Sequence, residues 1–188
     1  MSLRLAPGDL LASHPGLEDP NFARSVILVC EHTEDGAFGL VLNRPTGVGL
    51  GQLLPDHPTL GEAEEEVRLG GPVDHARLHF VHCVPGRITG GTLLRPGLWF
   101  GGDVDELGAY LAAVRADGQD TDQVRAFVGY AGWGEGQLDA ELESGSWIPA
   151  LGRDEWIFCA AGDAVWHSVV DAALGTGDAE PPAPHELN

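Results

Sequence analysis

The chain has 188 residues, and its 29 acidic side chains against ten basic ones, all arginine, give a net charge of −19. That balance repels phosphate backbones and anionic lipid, and the arginines are scattered singly, which argues against direct nucleic-acid or membrane-surface binding. Hydrophobic residues make up 43% of the sequence, enough for a core, while the longest apolar run, residues 156–161, falls far short of the roughly 18–20 residues of a membrane span.

An extended entry at residues 10–12 leads into a turn-rich segment, 14–24, ending near Asp19 and Pro20. Residues 25–31 (SVILVCE) form a β-branched run and read as a buried strand. A turn over residues 32–36 and a second apolar run, 37–42, complete an antiparallel hairpin with a loop of three to five residues. Pro45, which has no amide proton for a ladder, is expected to end that strand. Residues 50–54 suit a short helix, and the acidic run 62–66 reads as a solvated face.

Extended stretches follow at 67–69 and 77–84, separated by Gly70, Gly71 and Pro72, and the Gly-rich connection 85–96 has room for a short strand at most. Asp103 caps a helix in which Glu106 is placed to reach back to the cap amide. Val104, Leu107, Leu111 and Val114 recur on one helical face, and Gly118 supplies a left-handed stop. Residues 123–130 read as a strand, 136–144 as a short helix stopped by Gly145, and 155–160 as a strand. Asp163 is expected to cap a final helix to Leu174, with residues 175–188 a polar, flexible tail. Hairpins come first and helices late, with connections too poor in helix for parallel crossovers. That pattern favours a single α+β domain over residues 1–174, with bent, mostly antiparallel sheets.

Three widely spaced cysteines, Cys30, Cys83 and Cys159, make no disulfide framework, and the first residues carry no secretory signal. The expected compartment is a reducing cytoplasm.

The most informative stretch is GYAGWGEGQLDAE over residues 129–141. Its glycines allow either an inward-turned amide nest for an anion at a helix start or a tight strand–helix junction covered by Tyr130 and Trp133. The spacing is not G-x-G-x-x-G, no lysine follows, and Glu135 adds negative charge, all of which favour the junction. This stretch, with Trp147 beyond it, resembles the hallmark of the YqgE/AlgH family of small bacterial proteins. Cys30-Glu31-His32 is similar to that family's CEH element. Gly36, Ala37, Phe38 and Gly39 resemble its GAMG turn, with Phe38 in place of methionine. Asn43-Arg44-Pro45, Gly70-Gly71-Pro72, His82 and Trp166 fall in the same order as their family counterparts, and Asp139 stands where the family has glutamate. The resemblance spans about residues 10–174.

It implies an α+β fold with bent sheets and no established activity. The family's name derives in part from a proposed regulator of alginate production, and some members carry the label of transcriptional regulator. A regulatory role for so acidic a chain would be exerted through a protein partner or small ligand, without DNA contact. The residues expected to contact such a ligand are Asn43, Arg44, Gly70, Gly71, His82, Gly129, Tyr130, Gly132, Trp133, Gly136 and Gln137. No cofactor motif is present, and self-association is left open.

The rival reading is an enzyme that uses Cys30 with His32. Two residues apart on a strand they would share a face, about 6.6 Å from one another, and a protonated histidine favours a thiolate. Against it, Cys30 closes an apolar run, where cysteine behaves as a small hydrophobe. His75, His79, His82 and Cys83 invite a metal reading, yet strand geometry sets His79 and Cys83 roughly 13 Å apart and turns His82 away. No metal site is expected.

Overall fold

A computed structural model describes residues 5–119, 121–158 and 162–175. β1 (Leu10–Ser13) pairs antiparallel with β2 (Val26–Thr33), and β2 with β3 (Gly36–Val41), so the first predicted hairpin is present with a tighter turn than expected. Pro45 does not close β3. It opens a short strand, β4 (Pro45–Gly49), the first position of a strand at a sheet edge being one that proline tolerates. After α1 (Leu50–Leu53) and a 3-10 turn at Leu60–Glu62 come β5 (Glu66–Leu69) and β6 (Val73–His82), the latter starting four residues before its predicted limit.

The connection after β6 holds a hairpin of β7 (Thr92–Arg95) and β8 (Leu98–Phe100), elements too short for an alternation signal. α2 (Val104–Ala116) is capped by Asp103 Oδ1, which accepts from the Glu106 amide at 2.9 Å. The expected return bond of a capping box is not made. Glu106 Oε2 instead accepts from the Thr89 amide and hydroxyl at 2.7 and 2.8 Å, and the Asp103 amide donates to the Thr89 carbonyl.

β9 (Val124–Trp133) runs three residues beyond its predicted end, so much of the glycine-rich stretch is strand and the turn is confined to Gly134–Gly136. α3 (Gln137–Glu143) follows, then an unforeseen β10 (Trp147–Ala150) against β1. The predicted strand at 155–160 is corrected to a helical turn, α4 (Asp154–Ile157), as far as it lies within the described residues. A continuous apolar run suits either conformation once buried, and Trp156, Ile157 and Phe158 all are. The cap of α5 (Asp163–Leu174) is Gly162 rather than Asp163, which is the first helical residue and pairs with Arg24 at 3.0 Å. Residues 176–188 and Cys159 lie outside the described residues.

The strands form one sheet in the order β10-β1-β2-β3-β9-β6-β8-β7, mostly antiparallel, with β4 and β5 branching from it. The fold class is α+β, as expected. β9 is the hinge of the arrangement. Along the same side it pairs antiparallel with β3 through residues 131–133 and parallel with β5 through residues 126–128. The handover falls at Gly129, whose φ of +72° suits a residue without Cβ. A Cβ there would stand 2.5 Å from the Gly71 carbonyl oxygen, and one on Gly71 would stand 2.1 Å from the Tyr130 carbonyl carbon. Backbone crosses backbone at this point, and only glycine fits.

β1 and the first half of β2 are buried on both faces. Leu10, Leu28 and Leu40 pack with Trp156, Trp166 and Val169 of α4 and α5, while Leu11, Ile27 and Val29 pack with Trp133, Leu138 and Trp147 beside α3. A third cluster joins Leu107 and Leu111 of α2 to Leu50, Val67 and Phe80. Each fully buried leucine contributes about 1.5–3 kcal/mol, so the three clusters carry the fold.

Candidate functional site

Cys30 and His32 do not share a face. The β2–β3 register steps between Val29 and Glu31, so Cys30 occupies a bulge. One extra residue inverts the alternation beyond it. Cys30 sits 7% exposed among Leu28, Leu40 and Phe127, and burial pushes its thiol well above the ordinary value. His32 turns instead to Asp139 of α3, with Nε2 3.1 Å from Oδ1. The thiol is thus held neutral, away from the imidazole with which the rival enzymatic reading paired it.

Asn43 is 1% exposed and its amide is engaged: Oδ1 accepts from the Val26 amide at 2.9 Å, and Nδ2 donates to the carbonyls of Arg24 and Gly162 at 2.8 and 3.2 Å. It ties β2 to the start of α5 and holds Arg24, whose φ is +52°. Arg44 donates to the Ala23 carbonyl. Gly70, Gly71 and Gly129 serve the backbone crossing, covered by His75, whose Nε2 lies 3.0 Å from the Gly71 carbonyl oxygen.

The aromatic end of the motif closes on a residue to which no role was given from sequence. Glu141 Oε2 accepts from the indole N–H groups of Trp133 and Trp147 at 2.9 and 2.7 Å, and Oε1 from the side-chain Nε2 of Gln137 at 2.9 Å. Gln137 Oε1 in turn accepts from the Gly134 amide at 3.1 Å. The carboxylate therefore locks turn, helix and β10 together, while the backbone of Gly132, Gly134 and Gly136 stays exposed. A separation of four and eight residues from Gln137 and Trp133 was the available signal.

Tyr130 opens onto a cleft of about 520 Å³ with Phe38, His79 and Phe100. These four rings come from β9, β3, β6 and β8, consecutive neighbours in the sheet. Phe38 is the common contact, with ring centroids 5.0 Å from Tyr130, 5.4 Å from His79 and 5.4 Å from Phe100. Glu31 and Arg77 stand exposed at the rim, and Gly101 and Gly102 add backbone. His79 is 7% exposed, and its Nε2 is buried without a hydrogen-bond partner among the described residues. Burial, aided by Arg77 and opposed by Asp74, lowers its pKa, which keeps the ring neutral at pH 7. Phe38 and His79 were noted from sequence for other reasons; Glu31, Arg77 and Phe100 were not singled out for this site. Register along β6 was the missing information.

His82 is fully buried beside Phe80, its Nδ1 accepting from the Val84 amide at 3.2 Å, and burial lowers its pKa as well. Cys83 Sγ lies 3.7 Å from the Gln123 carbonyl oxygen. Among the described residues, no three His, Cys, Asp or Glu side chains converge as metal ligands, and no helix is long and apolar enough to cross a membrane.

The family described as AlgH-like matches residues 10–176. A UPF0301 protein of Chlorobaculum tepidum is 38% identical over 171 residues, covering 91% of this chain and 88% of that one. One from Cytophaga hutchinsonii is 36% identical over 172 residues, covering 91% of each. Among solved structures, the solution structure of the AlgH protein from Pseudomonas aeruginosa superposes with a TM-score of 0.71 at 29% identity, covering 94% of this chain and 93% of that one. A crystal structure of a Corynebacterium diphtheriae protein gives a TM-score of 0.71 at 29% identity, with 92% and 89% coverage. With the family match extending from β1 past the end of α5, the chain belongs to the AlgH-like family.

Proposed function

We propose that this chain is a non-catalytic, cytoplasmic binding module with a regulatory role, engaging a small molecule through the ring-lined cleft and acting on transcription, where it does so, without touching DNA. The observation that carries the reading is that four adjacent strands each contribute one ring to a single concave surface. Concave, mostly apolar sites with a few convergent polar groups are the usual form of small-ligand sites. The separation of Cys30 from His32 weakens the enzymatic rival, and ten arginines scattered singly along a chain of net charge −19 speak against DNA contact.

The test is a thermal-shift screen of sugars, amino acids, carboxylates and nucleosides against the folded protein, since a compound that binds only the native state raises its melting temperature. Hits are mapped by side-chain resonances of Tyr130 and His79. A saturable shift localised to those rings supports the reading. No stabilising compound, or fast iodoacetamide labelling of Cys30 in the folded state, overturns it.

A further inference from the structure

Phe38, Phe100 and Tyr130 are only half-buried, although each lies against other rings. They leave aromatic surface facing the cleft. Aromatic surfaces recognise planar rings by stacking, tolerant of the ring's identity. His79 lines the same cleft, and its Nε2, sealed from solvent behind the cleft surface, has nothing among the described residues to bond to. An unsatisfied buried polar atom in a native structure calls for a partner. Stacking surface and an unused hydrogen-bonding atom together fit a planar ring with polar edge atoms.

Charge narrows the class. The chain carries −19, and the rim opposes Glu31 to Arg77. Long-range repulsion works against a phosphate or carboxylate ligand, and the rim offers no net positive charge to offset it. A volume of about 520 Å³ admits a ring with a modest substituent.

We infer that the cleft between β3, β9, β6 and β8 receives an uncharged planar heteroaromatic ring of the nucleoside class, stacked among Phe38, Phe100 and Tyr130, with the His79 ring turning outward to hydrogen-bond it. This inference rests on the binding-module reading and assigns its ligand chemistry. Uncharged imidazole can serve as donor or acceptor, so either edge pattern of a base is served.

The test is NMR titration of the full chain with adenosine, cytidine, uridine and adenosine 5′-monophosphate, following the ring protons of His79 and Tyr130. The expected result is a saturable shift at both rings with at least one nucleoside. That affinity should drop about tenfold in His79→Phe, which keeps a ring but removes the nitrogens. Phe100→Leu, which keeps bulk without aromaticity, should weaken it too, and the monophosphate should bind more weakly than adenosine. Three results overturn the inference: no saturable shift with any nucleoside, unchanged affinity in His79→Phe, or tighter binding of the monophosphate. Should a sugar or amino acid occupy the cleft while every nucleoside fails, the ring assignment falls and the binding-module reading stands.

Discussion

Trp133 donates its indole N–H to Glu141 at 2.9 Å, and the same carboxylate oxygen receives the indole of Trp147 at 2.7 Å. Two hydrophobic side chains are thereby buried with their polar atoms satisfied by one charged acceptor. Replacing Glu141 by alanine strands both donors and releases Gln137. The expected loss is on the order of 3 kcal/mol, since hydrogen bonds to charged groups are worth about 1.5–3 kcal/mol and the pair is not additive. Glu141→Gln, which retains an acceptor oxygen, should lose about half as much. Urea unfolding measures both, and a change within about 0.5 kcal/mol for alanine would refute the clamp.

The crossing of β9 with the turn before β6 gives a second expectation. Gly71→Ala forces a Cβ to within 2.1 Å of the Tyr130 carbonyl carbon, so backbone must move. Gly97, at φ +85° with nothing within 4 Å of a built Cβ, isolates the conformational cost alone. Gly97→Ala should lose roughly 1–2 kcal/mol and Gly71→Ala roughly 4 kcal/mol or the fold itself. Equal losses measured by thermal or chemical unfolding would count against the close approach.

Much of the architecture is legible from sequence because periodicity reports it. The β2–β3 hairpin and the apolar face of α2 at Leu107 and Leu111 follow from spacing alone, although Val104, on the same predicted face, is 39% exposed. What escaped is set by tertiary pairing. Thr89 takes the Glu106 carboxylate from 17 residues away, displacing the local capping bond. The bulge at Cys30 leaves no trace in a run buried on both faces, since inserting one apolar residue among others does not alter the pattern. Three-residue β8 carries too little alternation to be read, yet it supplies Phe100 to the cleft.

Acid should weaken the fold through its buried imidazoles. His79 and His82 both have folded pKa values below 6.5, burial being the main cause. Below pH 6.5 the unfolded chain takes up protons that the folded chain refuses, so stability falls as pH drops through that window. His79→Phe should flatten the slope below about pH 6.5, by up to roughly 1.4 kcal/mol per unit. A slope identical to that of the parent protein would show that His79 titrates freely.

Base acts through Cys30. Its thiol is raised above the ordinary 9.0, so above pH 9 the unfolded state releases a proton that the folded state retains, and stability declines as pH rises. Cys30→Ala should remove this component, at most about 1.4 kcal/mol per pH unit. The folded protein should also resist iodoacetamide at Cys30 until it opens. An unaltered alkaline limb in the alanine variant would contradict the buried, neutral thiol.

The position of β9 in the sheet bears on how the molecule assembles. A strand near residue 130 slots between partners formed by residues 36–41 and 66–69 on one side and 73–82 on the other. A nascent chain halted before Val124 therefore holds its early hairpins with their inner edges bare, exposed to mispairing with neighbours. Synthesis past that point closes the seam, and the many distant pairings it requires mark this as a slow-folding topology that gains from protection on the ribosome.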